Sequence, residues 1–279
     1  MGMPMCSNIA KAGFVVKAFN RNSKKLKPLK DLGISTCNTI QEAISGSDII
    51  ITMLSDDEAV LDVLNQVTKL DFKKNSIFID MSSIKFSTAK KINEITKQNN
   101  LRYVDAPVSG GPEGAKSASL AIMAGGEQAD FDDCQDVLKT MGNPTLVGPS
   151  GSGQVAKLCN QIIVGVTIGA VAEAIILCEA TGADPTKFIK AVAGGFADSK
   201  ILQNHGNRMI VKDFAPRGKT YTHLKDMNNI IECAKDYQTE LPISNLIQKM
   251  YQSLVNAGLG DNDHSYLYKE ILKLNKKGI

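Results

Sequence analysis

The sequence predicts two domains, an α/β domain built on a parallel sheet and an all-α domain that follows it. Up to about Pro149, short apolar runs alternate with polar, helix-like segments. This alternation is typical of parallel strands joined by helices that cover both faces of a sheet. After Gly151 the strand signals vanish and the chain reads as helices. We therefore place a boundary near residue 150, which gives domains 1–149 and 150–279.

The apolar runs of the first domain are short and rich in β-branched residues, as buried strands are. We predict strands at 14–19, 48–54, 76–81, 102–106, 119–124 and 145–147. The intervening helices are predicted at 7–13, 40–45, 58–68, 87–98 and 129–140. The second domain opens with a long, nearly apolar helix at 152–181, and breaks follow at Gly182, Gly194-Gly195, Gly206 and Pro216. Small residues on the long helix allow close helix packing, within one subunit or between two: Gly165, Gly169 and Ala170.

Composition is that of an ordinary folded protein, with 43% hydrophobic and 22% charged residues. A net charge of +3 is too mild to indicate a nucleic-acid partner. The short basic runs are interpreted as solvated surface: Lys24, Lys25 and Lys27, then Lys273, Lys276 and Lys277. Six cysteines without a CxxC pair, and three histidines without ligand spacing, predict no metal site and a reducing, cytoplasmic setting.

We expect neither a secretory signal nor a membrane span. The opening residues lack a basic region followed by a long apolar core. The apolar segment 162–178 carries Glu173 and is shorter than the roughly 20 residues that a span needs. A buried helix is the better interpretation of that segment.

The opening of the chain resembles the end of a dinucleotide-binding turn. Such a unit, of the Rossmann-type doubly wound kind, begins with a strand, a glycine-rich turn and a helix. Here the chain opens with Met1-Gly2-Met3-Pro4-Met5, then a helix that ends at Gly13. We interpret Gly2 as the last glycine of the turn, so that the first strand and the first two glycines are absent.

The residues after the next predicted strand bear on the cofactor. NAD-preferring folds place an acidic residue there, whereas an arginine accommodates the 2′-phosphate of NADP. Asn20 and Arg21 occupy this position, without a carboxylate. The pattern favours NADP(H), with NAD(H) as the alternative, although Arg21 is equally typical of an exposed turn.

A glycine-rich loop follows the strand predicted at 102–106, with the sequence Asp-Ala-Pro-Val-Ser-Gly-Gly at 105–111. Gly110 and Gly111 let backbone N–H groups approach a ligand closely, and Ser109 adds a hydroxyl. The loop suits a small carboxylate, and a simple tight turn is the alternative interpretation.

A lysine stands near the start of the long helix, in a segment otherwise bound for burial. Lys157 and Asn160 are three residues apart and share one helix face. At a domain boundary, where pockets commonly form, Lys157 could protonate a carbonyl oxygen or deprotonate a hydroxyl. The alternative is a lysine that reaches solvent along its alkyl stem. Farther on, Lys225-Asp226 taken alone reads as a surface ion pair.

Taken together, these motifs resemble the β-hydroxyacid dehydrogenase family, along nearly the whole chain and in the expected order. The resemblance implies NADP-linked (alternatively NAD-linked) hydride transfer, with Lys157 as general acid/base. It implies that Ser109, Gly110, Gly111 and Asn160 bind the substrate. It also implies the cofactor-binding set Gly2, Met3, Asn20, Arg21, Met53, Leu54, Ser83 and Lys225.

Three stretches favour the members of this family that reduce tartronate semialdehyde to glycerate: 157–161, 194–199 and 259–265. Members that act on 3-hydroxyisobutyrate, glyoxylate or succinic semialdehyde share much of the pattern and remain alternatives. The resemblance implies a homodimer or homotetramer. A different class of protein also stays open, an inactive scaffold that has lost its cofactor with its first strand.

Overall fold

A computed structural model describes residues 1–275, so Lys276 and Lys277 of the predicted basic tail lie outside the described residues. The chain separates into two compact units, Met1–Lys157 and a second that begins at Leu158. The boundary predicted near residue 150 precedes the long helix, whereas the observed division falls within that helix. The fold class is confirmed, an α/β unit followed by a helical one.

The first unit contains seven helices and eight strands among its described residues. The helices are Gly2–Lys11 (α1), Lys27–Lys30 (α2), Ile40–Ile44 (α3), Asp57–Val67 (α4), Phe86–Gln98 (α5), Gly111–Lys116 (α6) and Gln128–Lys139 (α7). The strands are Lys17–Phe19 (β1), Ser35–Cys37 (β2), Ile49–Thr52 (β3), Ile77–Asp80 (β4), Arg102–Asp105 (β5), Val108–Ser109 (β6), Leu120–Gly126 (β7) and Gly142–Gly148 (β8).

The larger sheet is mixed rather than purely parallel. Its strand order is β3-β4-β5-β7-β6, and β8 pairs with β7. The β3–β4, β4–β5 and β7–β8 pairs are parallel, but β7 runs antiparallel to β5 and β6. Between β5 and β7 the chain forms the two-residue strand β6 and one helix, the six-residue α6, which is shorter than a parallel crossover requires. The prediction of an entirely parallel sheet was therefore wrong at this edge.

Alternate residues of the central strands supply two hydrophobic layers. Ile77, Ile79 and Val104 pack with residues of α1 and α7. Phe78 and Tyr103 point to the opposite face and pack with residues of α4 and α5. Helices therefore cover both faces of the sheet, as the alternating pattern predicted.

The first two strands form a separate sheet. Within residues 1–275, β1 pairs with β2 alone and β3 pairs with β4 alone. One edge of β1 and one edge of β3 are therefore not paired with any strand among the described residues. Val15, just before β1, is 94% exposed although it is strongly apolar. The first unit is therefore interrupted where a doubly wound sheet would continue.

The second unit is helical. Ser152–Thr181 (α8) starts in the first unit, with the predicted bounds, and continues into this one. It is followed by Pro185–Ala191 (α9), Asn207–Ile210 (α10), Thr220–Asp236 (α11), Pro242–Asn256 (α12) and Leu267–Leu274 (α13). By length and composition α8 would be able to cross a membrane, but Ile168, Ala172 and Ile175 on it lie fully buried in the helical core.

Two of the three small residues predicted on α8, Gly165 and Gly169, pack within this unit, whereas Ala170 is exposed. A Cβ added to Gly165 would lie 2.6 Å from Nε2 of His223 on α11. One added to Gly169 would lie 2.8 Å from Cδ1 of Ile247 on α12. Of the two possibilities open in the sequence, close approach within one subunit is therefore the one observed.

Several predictions of local structure differ from the structure, and the strand predicted at 14–19, for example, begins only at Lys17. The strands β2 and β6 were not predicted, because two or three residues carry too little periodicity. The helix predicted at 7–13 begins earlier, at Gly2. Gly206 ends no helix, because Leu202–Gly206 is a π-helical turn that leads directly into α10. There the glycine lets the backbone pack against Ile189 and Val171.

Candidate active site

Loops that follow parallel strands carry most of the predicted cofactor residues. Met53 and Leu54 follow β3, and Ser83 follows β4. The backbone N–H of Leu54 donates to Oγ of Ser82 over 2.9 Å, which joins the two loops. The crevice outside the carboxyl ends of parallel strands is where α/β sheets bind ligands.

The start of α1 lies beside the same loops. A Cβ on Gly2 would lie 3.7 Å from Cβ of Met53, while Met3 is 47% exposed. Asn20 and Arg21 follow β1 and are both exposed. The structure thus brings Gly2 to Met53, and it leaves Asn20 and Arg21 at the end of the separate small sheet. A helix N-terminus beside the ends of parallel strands fits the binding of a dinucleotide's phosphates.

The predicted substrate loop has backbone geometry that needs glycine. Ser109 ends the short strand β6. Gly110 has φ +136° and Gly111 has φ +65°, in the left-handed region that other residues rarely adopt. The two glycines open α6, so successive backbone N–H groups follow the Ser109 hydroxyl.

Lys157 lies against this loop. Its Nζ donates a hydrogen bond to the carbonyl oxygen of Val108 over 2.8 Å. The residue is 9% exposed, so the alternative in which its ammonium reaches open solvent is wrong. Because Val108 directly precedes Ser109, a buried proton donor sits beside the glycine-rich loop.

Two buried carboxylates lie at the ends of neighbouring strands, and sequence reasoning assigned no role to either of them. Asp80 and Asp105 are paired in register on β4 and β5, and each is 0% exposed. Burial raises the pKa of Asp80 to about 7 and that of Asp105 to about 6. Asp80 accepts from the hydroxyl of Thr52 over 2.8 Å, but its Oδ2 makes no hydrogen bond among the described residues.

In the second unit, Asn160 and Lys225 belong to one chain of polar contacts. Nδ2 of Asn160 donates to Oε1 of Gln161 over 2.8 Å, and Nε2 of Gln161 donates to Oδ2 of Asp226 over 2.6 Å. Nζ of Lys225 lies 3.4 Å from Oδ1 of Asp226. Asp226 is 6% exposed, so the interpretation of this pair as a surface ion pair was wrong. Sequence reasoning assigned no role to Gln161 or Asp226, which link the two predicted residues.

A cluster of histidines occupies another part of the second unit. The ligand atoms of His205, Asp263 and His264 lie within 4.8 Å of one another. The Asp263 carboxylate already accepts hydrogen bonds from the N–H groups of Arg217, Gly218 and Ser265 and from the Ser265 hydroxyl. Nη1 of Arg208 lies 2.9 Å from it. A carboxylate with its lone pairs engaged beside a guanidinium is a poor metal ligand, so the arrangement favours a structural role.

Comparison with known proteins covers both units. A family model described as the NAD binding domain of 6-phosphogluconate dehydrogenase matches residues 1–165. A second, described as NAD-binding of NADP-dependent 3-hydroxyisobutyrate dehydrogenase, matches residues 151–271. The chain is 37% identical to 2-hydroxy-3-oxopropionate reductase of Escherichia coli K12, over 97% of this chain and 94% of that protein. It is 31% identical to the mitochondrial 3-hydroxyisobutyrate dehydrogenase of Drosophila melanogaster, over 99% and 87%.

A solved structure has the same fold. The 3-hydroxyisobutyrate dehydrogenase of Mycobacterium tuberculosis, in a structure that includes L-serine, superposes with a TM-score of 0.89. It is 26% identical to this chain, and the match covers 97% of this chain and 95% of that one.

Proposed function

This chain belongs to the β-hydroxyacid dehydrogenase family, and from that premise we propose that it reduces tartronate semialdehyde to glycerate with NADPH. The coarser statement, an NAD(P)-dependent dehydrogenase or reductase acting on a hydroxyl group, follows from the named relatives and the two family models. The choice of tartronate semialdehyde is supported by 37% identity to a 2-hydroxy-3-oxopropionate reductase over nearly the full length.

The observation that carries the proposal is the position of Lys157. Its ammonium is buried and bonded to the carbonyl of Val108, one residue from Ser109. A proton donor held next to a loop of backbone N–H groups suits an aldehyde that also bears a carboxylate. The N–H groups and the Ser109 hydroxyl would bind the carboxylate of the substrate. Binding in this orientation would place the aldehyde oxygen next to Lys157.

In the proposed reaction, residues of this chain bind the substrate, orient it and protonate its aldehyde oxygen. Reduced nicotinamide, when bound, supplies the hydride that adds to the aldehyde carbon. Lys157 donates a proton from Nζ to the oxygen as negative charge develops there, and solvent reprotonates the amine. In the reverse direction the neutral amine accepts the hydroxyl proton. We assign Asn160 to substrate binding and Lys225 to cofactor binding, as the family resemblance implies.

The preference for NADP(H) is also part of the proposal. It is supported by Asn20 and Arg21 at the end of β1, where no carboxylate is present to bind a ribose 2′-hydroxyl. Gly2, Met3, Met53, Leu54 and Ser83 would contact the rest of the dinucleotide.

Initial rates test the substrate. We would compare tartronate semialdehyde, glyoxylate, methylmalonate semialdehyde and succinic semialdehyde, each with NADPH and NADH. The highest kcat/KM is expected for tartronate semialdehyde with NADPH. A higher kcat/KM for methylmalonate or succinic semialdehyde would overturn the proposed substrate and favour the alternative branches of the family.

Cofactor titration tests the scaffold alternative, which draws its support from the interruption between β1 and β3. Binding of NADPH to the folded chain raises its melting temperature, by an amount that grows with concentration above Kd. An unchanged melting temperature with millimolar NADPH and NADH would favour the scaffold.

We also propose that the chain forms a homodimer or homotetramer. Apolar side chains on α8 remain exposed in the single chain, with Ile163 at 65% and Leu177 at 64%. Sedimentation of the wild-type chain and of Ile163→Lys tests this. A wild-type chain that sediments as a monomer at all concentrations would exclude the assembly.

A further inference from the structure

The carboxylate of Asp105 caps the helix that carries Lys157. Asp105 ends β5 and is fully buried. One oxygen accepts from the N–H of Gly151 over 2.6 Å and the other from the N–H of Gln154 over 2.9 Å. The N–H groups at the start of a helix have no partner within the helix. Asp105 therefore satisfies the first turn of α8 from a strand more than forty positions earlier in the sequence.

Glycines let this helix start touch the strands directly. A Cβ on Gly125 of β7 would lie 2.7 Å from Oδ1 of Asp105 and 2.6 Å from the Gly153 nitrogen. A Cβ on Gly153 would lie 2.4 Å from the carbonyl oxygen of Met123. No side chain fits at either position without moving backbone. The first turn of α8 is thus held against β5 and β7 with little freedom to shift.

The same segment of chain is bonded to α8 a second time, through Lys157. Lys157 lies about one helical turn beyond Gln154, and its Nζ donates to Val108, three residues after Asp105. The carboxylate of Asp105 thus fixes the start of this helical turn, and the carbonyl of Val108 fixes Lys157 at the end of the same turn. Displacing either bond would move the ammonium relative to Ser109.

Gln154 ties this turn to a predicted cofactor loop. Its Nε2 donates to the carbonyl of Ser82 over 2.9 Å, and its Oε1 accepts from the N–H of Ile84 over 3.2 Å. Ser83 lies between these two residues. The helix start, the substrate loop and the loop after β4 are therefore joined in one hydrogen-bonded unit.

We propose that Asp105 is the positioning residue for Lys157: by fixing the start of α8, its carboxylate fixes where the ammonium meets the substrate loop. The inference rests on the proposed role of Lys157 as proton donor. Two acceptor oxygens on one rigid group hold two separate N–H donors, whereas the amide of asparagine offers one oxygen and turns an NH₂ toward the other donor. A shift of about 1 Å at a catalytic group lowers a rate by about 100-fold.

The variant Asp105→Asn tests the proposal with three readouts. We expect kcat to fall by about 100-fold while Kd for NADPH stays within about twofold, because the cap acts on the lysine position. We also expect Lys157 to be acetylated several-fold faster by an amine-reactive ester, measured by mass spectrometry, because its ammonium leaves Val108. Wild-type kcat together with wild-type acetylation of Lys157 would overturn the proposal.

A matched control is Asp80→Asn, a neighbouring buried carboxylate that is not bonded to α8. Oδ1 of Asp80 accepts the hydrogen bonds from Thr52 and Ser82, and an asparagine keeps that oxygen. The variant instead buries an NH₂ group in place of Oδ2, which makes no hydrogen bond among the described residues. We expect a lowered unfolding midpoint in urea but unchanged acetylation of Lys157. Equal exposure of Lys157 in both variants would assign Asp105 a general stabilising role and overturn the positioning role.

A measurement on the wild-type chain keeps the proposal falsifiable if Asp105→Asn does not fold. Because burial raises the pKa of Asp105 to about 6, acidification across that value converts its carboxylate into a poorer acceptor. The amide resonances of Gly151 and Gln154 should titrate with a midpoint near 6. Acetylation of Lys157, normalised to the exposed Lys69, should rise across the same range. Unchanged acetylation would overturn the proposal.

These readouts separate the inference from the proposed function. Acetylation and amide shifts need neither cofactor nor turnover. A chain that binds no NADPH but shows both signals would overturn the proposed function and leave the positioning role standing. A fully active Asp105→Asn with a protected Lys157 would overturn only the positioning role.

Discussion

The two units each bury a cluster of ionisable groups, and the pKa values of their aspartates shift in opposite directions. In the first unit, burial raises the pKa values of Asp80 and Asp105. In the second, burial would also raise the pKa of Asp263, but the charge of neighbouring His264, and then hydrogen bonds from Gly218, Ser265 and Arg217, hold this pKa well below its usual range. Burial alone therefore does not decide the charge of a carboxyl group. The number and charge of its donors do.

The difference also indicates what each cluster does. Asp105 gives its carboxylate to the helix that carries Lys157, beside a loop open to a ligand. Asp263 is enclosed by Arg208, the turn at 217–218 and its own neighbours, with every acceptor position engaged. We interpret the first cluster as part of the reactive site and the second as a fixed point of the helical fold.

The largest effect that would test this comparison is expected on the catalytic rate. Lys157→Ala removes the proposed proton donor and should lower kcat by about 10²- to 10⁴-fold, with Kd for NADPH nearly unchanged. Steady-state kinetics and a cofactor titration measure both quantities. Lys116→Ala, an exposed lysine on α6, is the matched control and should retain wild-type kcat. Wild-type kcat in Lys157→Ala would remove Lys157 from its role.

The next largest effect is expected on stability. Asp263→Asn removes the nearer counter-charge of the largely buried Arg208 and leaves only Asp213, whose Oδ2 lies 3.8 Å from Nε of Arg208. The free energy of unfolding should fall by about 3 kcal/mol, the lower end of the range for breaking a buried pair. Urea unfolding followed by circular dichroism measures the change. Asp261→Asn, at an exposed carboxylate paired with Lys219, should leave the midpoint unchanged. A midpoint in Asp263→Asn equal to that of the control would contradict the structural role.

A smaller effect on stability is expected from adding a methyl group where α8 contacts His223. Gly165→Ala places a Cβ 2.6 Å from Nε2 of His223, a buried ring packed on Tyr251 and His264. Overpacking of about 1–3 kcal/mol should exceed the gain of about 1 kcal/mol in helix propensity. Gly169→Ala meets only the flexible end of Ile247 and should be tolerated. Thermal unfolding of both variants measures this difference in stability, and equal melting temperatures would contradict the prediction.

A change of one pH unit should also alter stability by a small amount, and the sign of this change should differ between the units. Burial, then the charge of His223, lowers the pKa of His264 from 6.5 to about 3, so its unfolded form binds the proton more tightly. The second unit should lose stability as pH falls below 6.5, by up to about 1.4 kcal/mol per pH unit.

The first unit should respond in the opposite direction. The folded pKa values of Asp80 and Asp105 lie above the ordinary 3.8, so protonation stabilises the folded form as pH falls from about 7 toward 4. Amide hydrogen exchange, corrected for the intrinsic rate, reports each unit separately. Parallel changes at β4 and at α11 would contradict the comparison.

The sequence predicted long elements well and short ones poorly. The bounds of α8 agree with the prediction because thirty residues between Ser152 and a terminal Gly182 leave little ambiguity. The two-residue strand β6 could not be predicted, since it is stabilised by pairing with β7. The roles of Ser109, Gly110, Gly111 and Asn160 stay predictions, as do those of the cofactor residues.

Contacts between distant residues were beyond the reach of sequence reasoning. Asp105 stood in the predicted motif, but nothing in its spacing showed that it bonds Gly151. His205 and His264 are 59 positions apart, and their ring nitrogens lie 2.8 Å from each other only because the helices fold back. All three histidines of the sequence lie together in the structure, but neither their number nor their spacing predicted this.

The glycine-lined start of α8 limits how this protein can evolve. Gly125 and Gly153 accept no side chain, and both carboxylate oxygens of Asp105 are hydrogen-bonded to the start of α8. Substitutions that alter substrate choice must therefore arise elsewhere, on surfaces that tolerate a change of volume. Across sequences related to this one, variation should be lowest where the strand backbone meets the helix. A change of substrate specificity would therefore come from residues around Lys157, while the position of Lys157 itself stays the same.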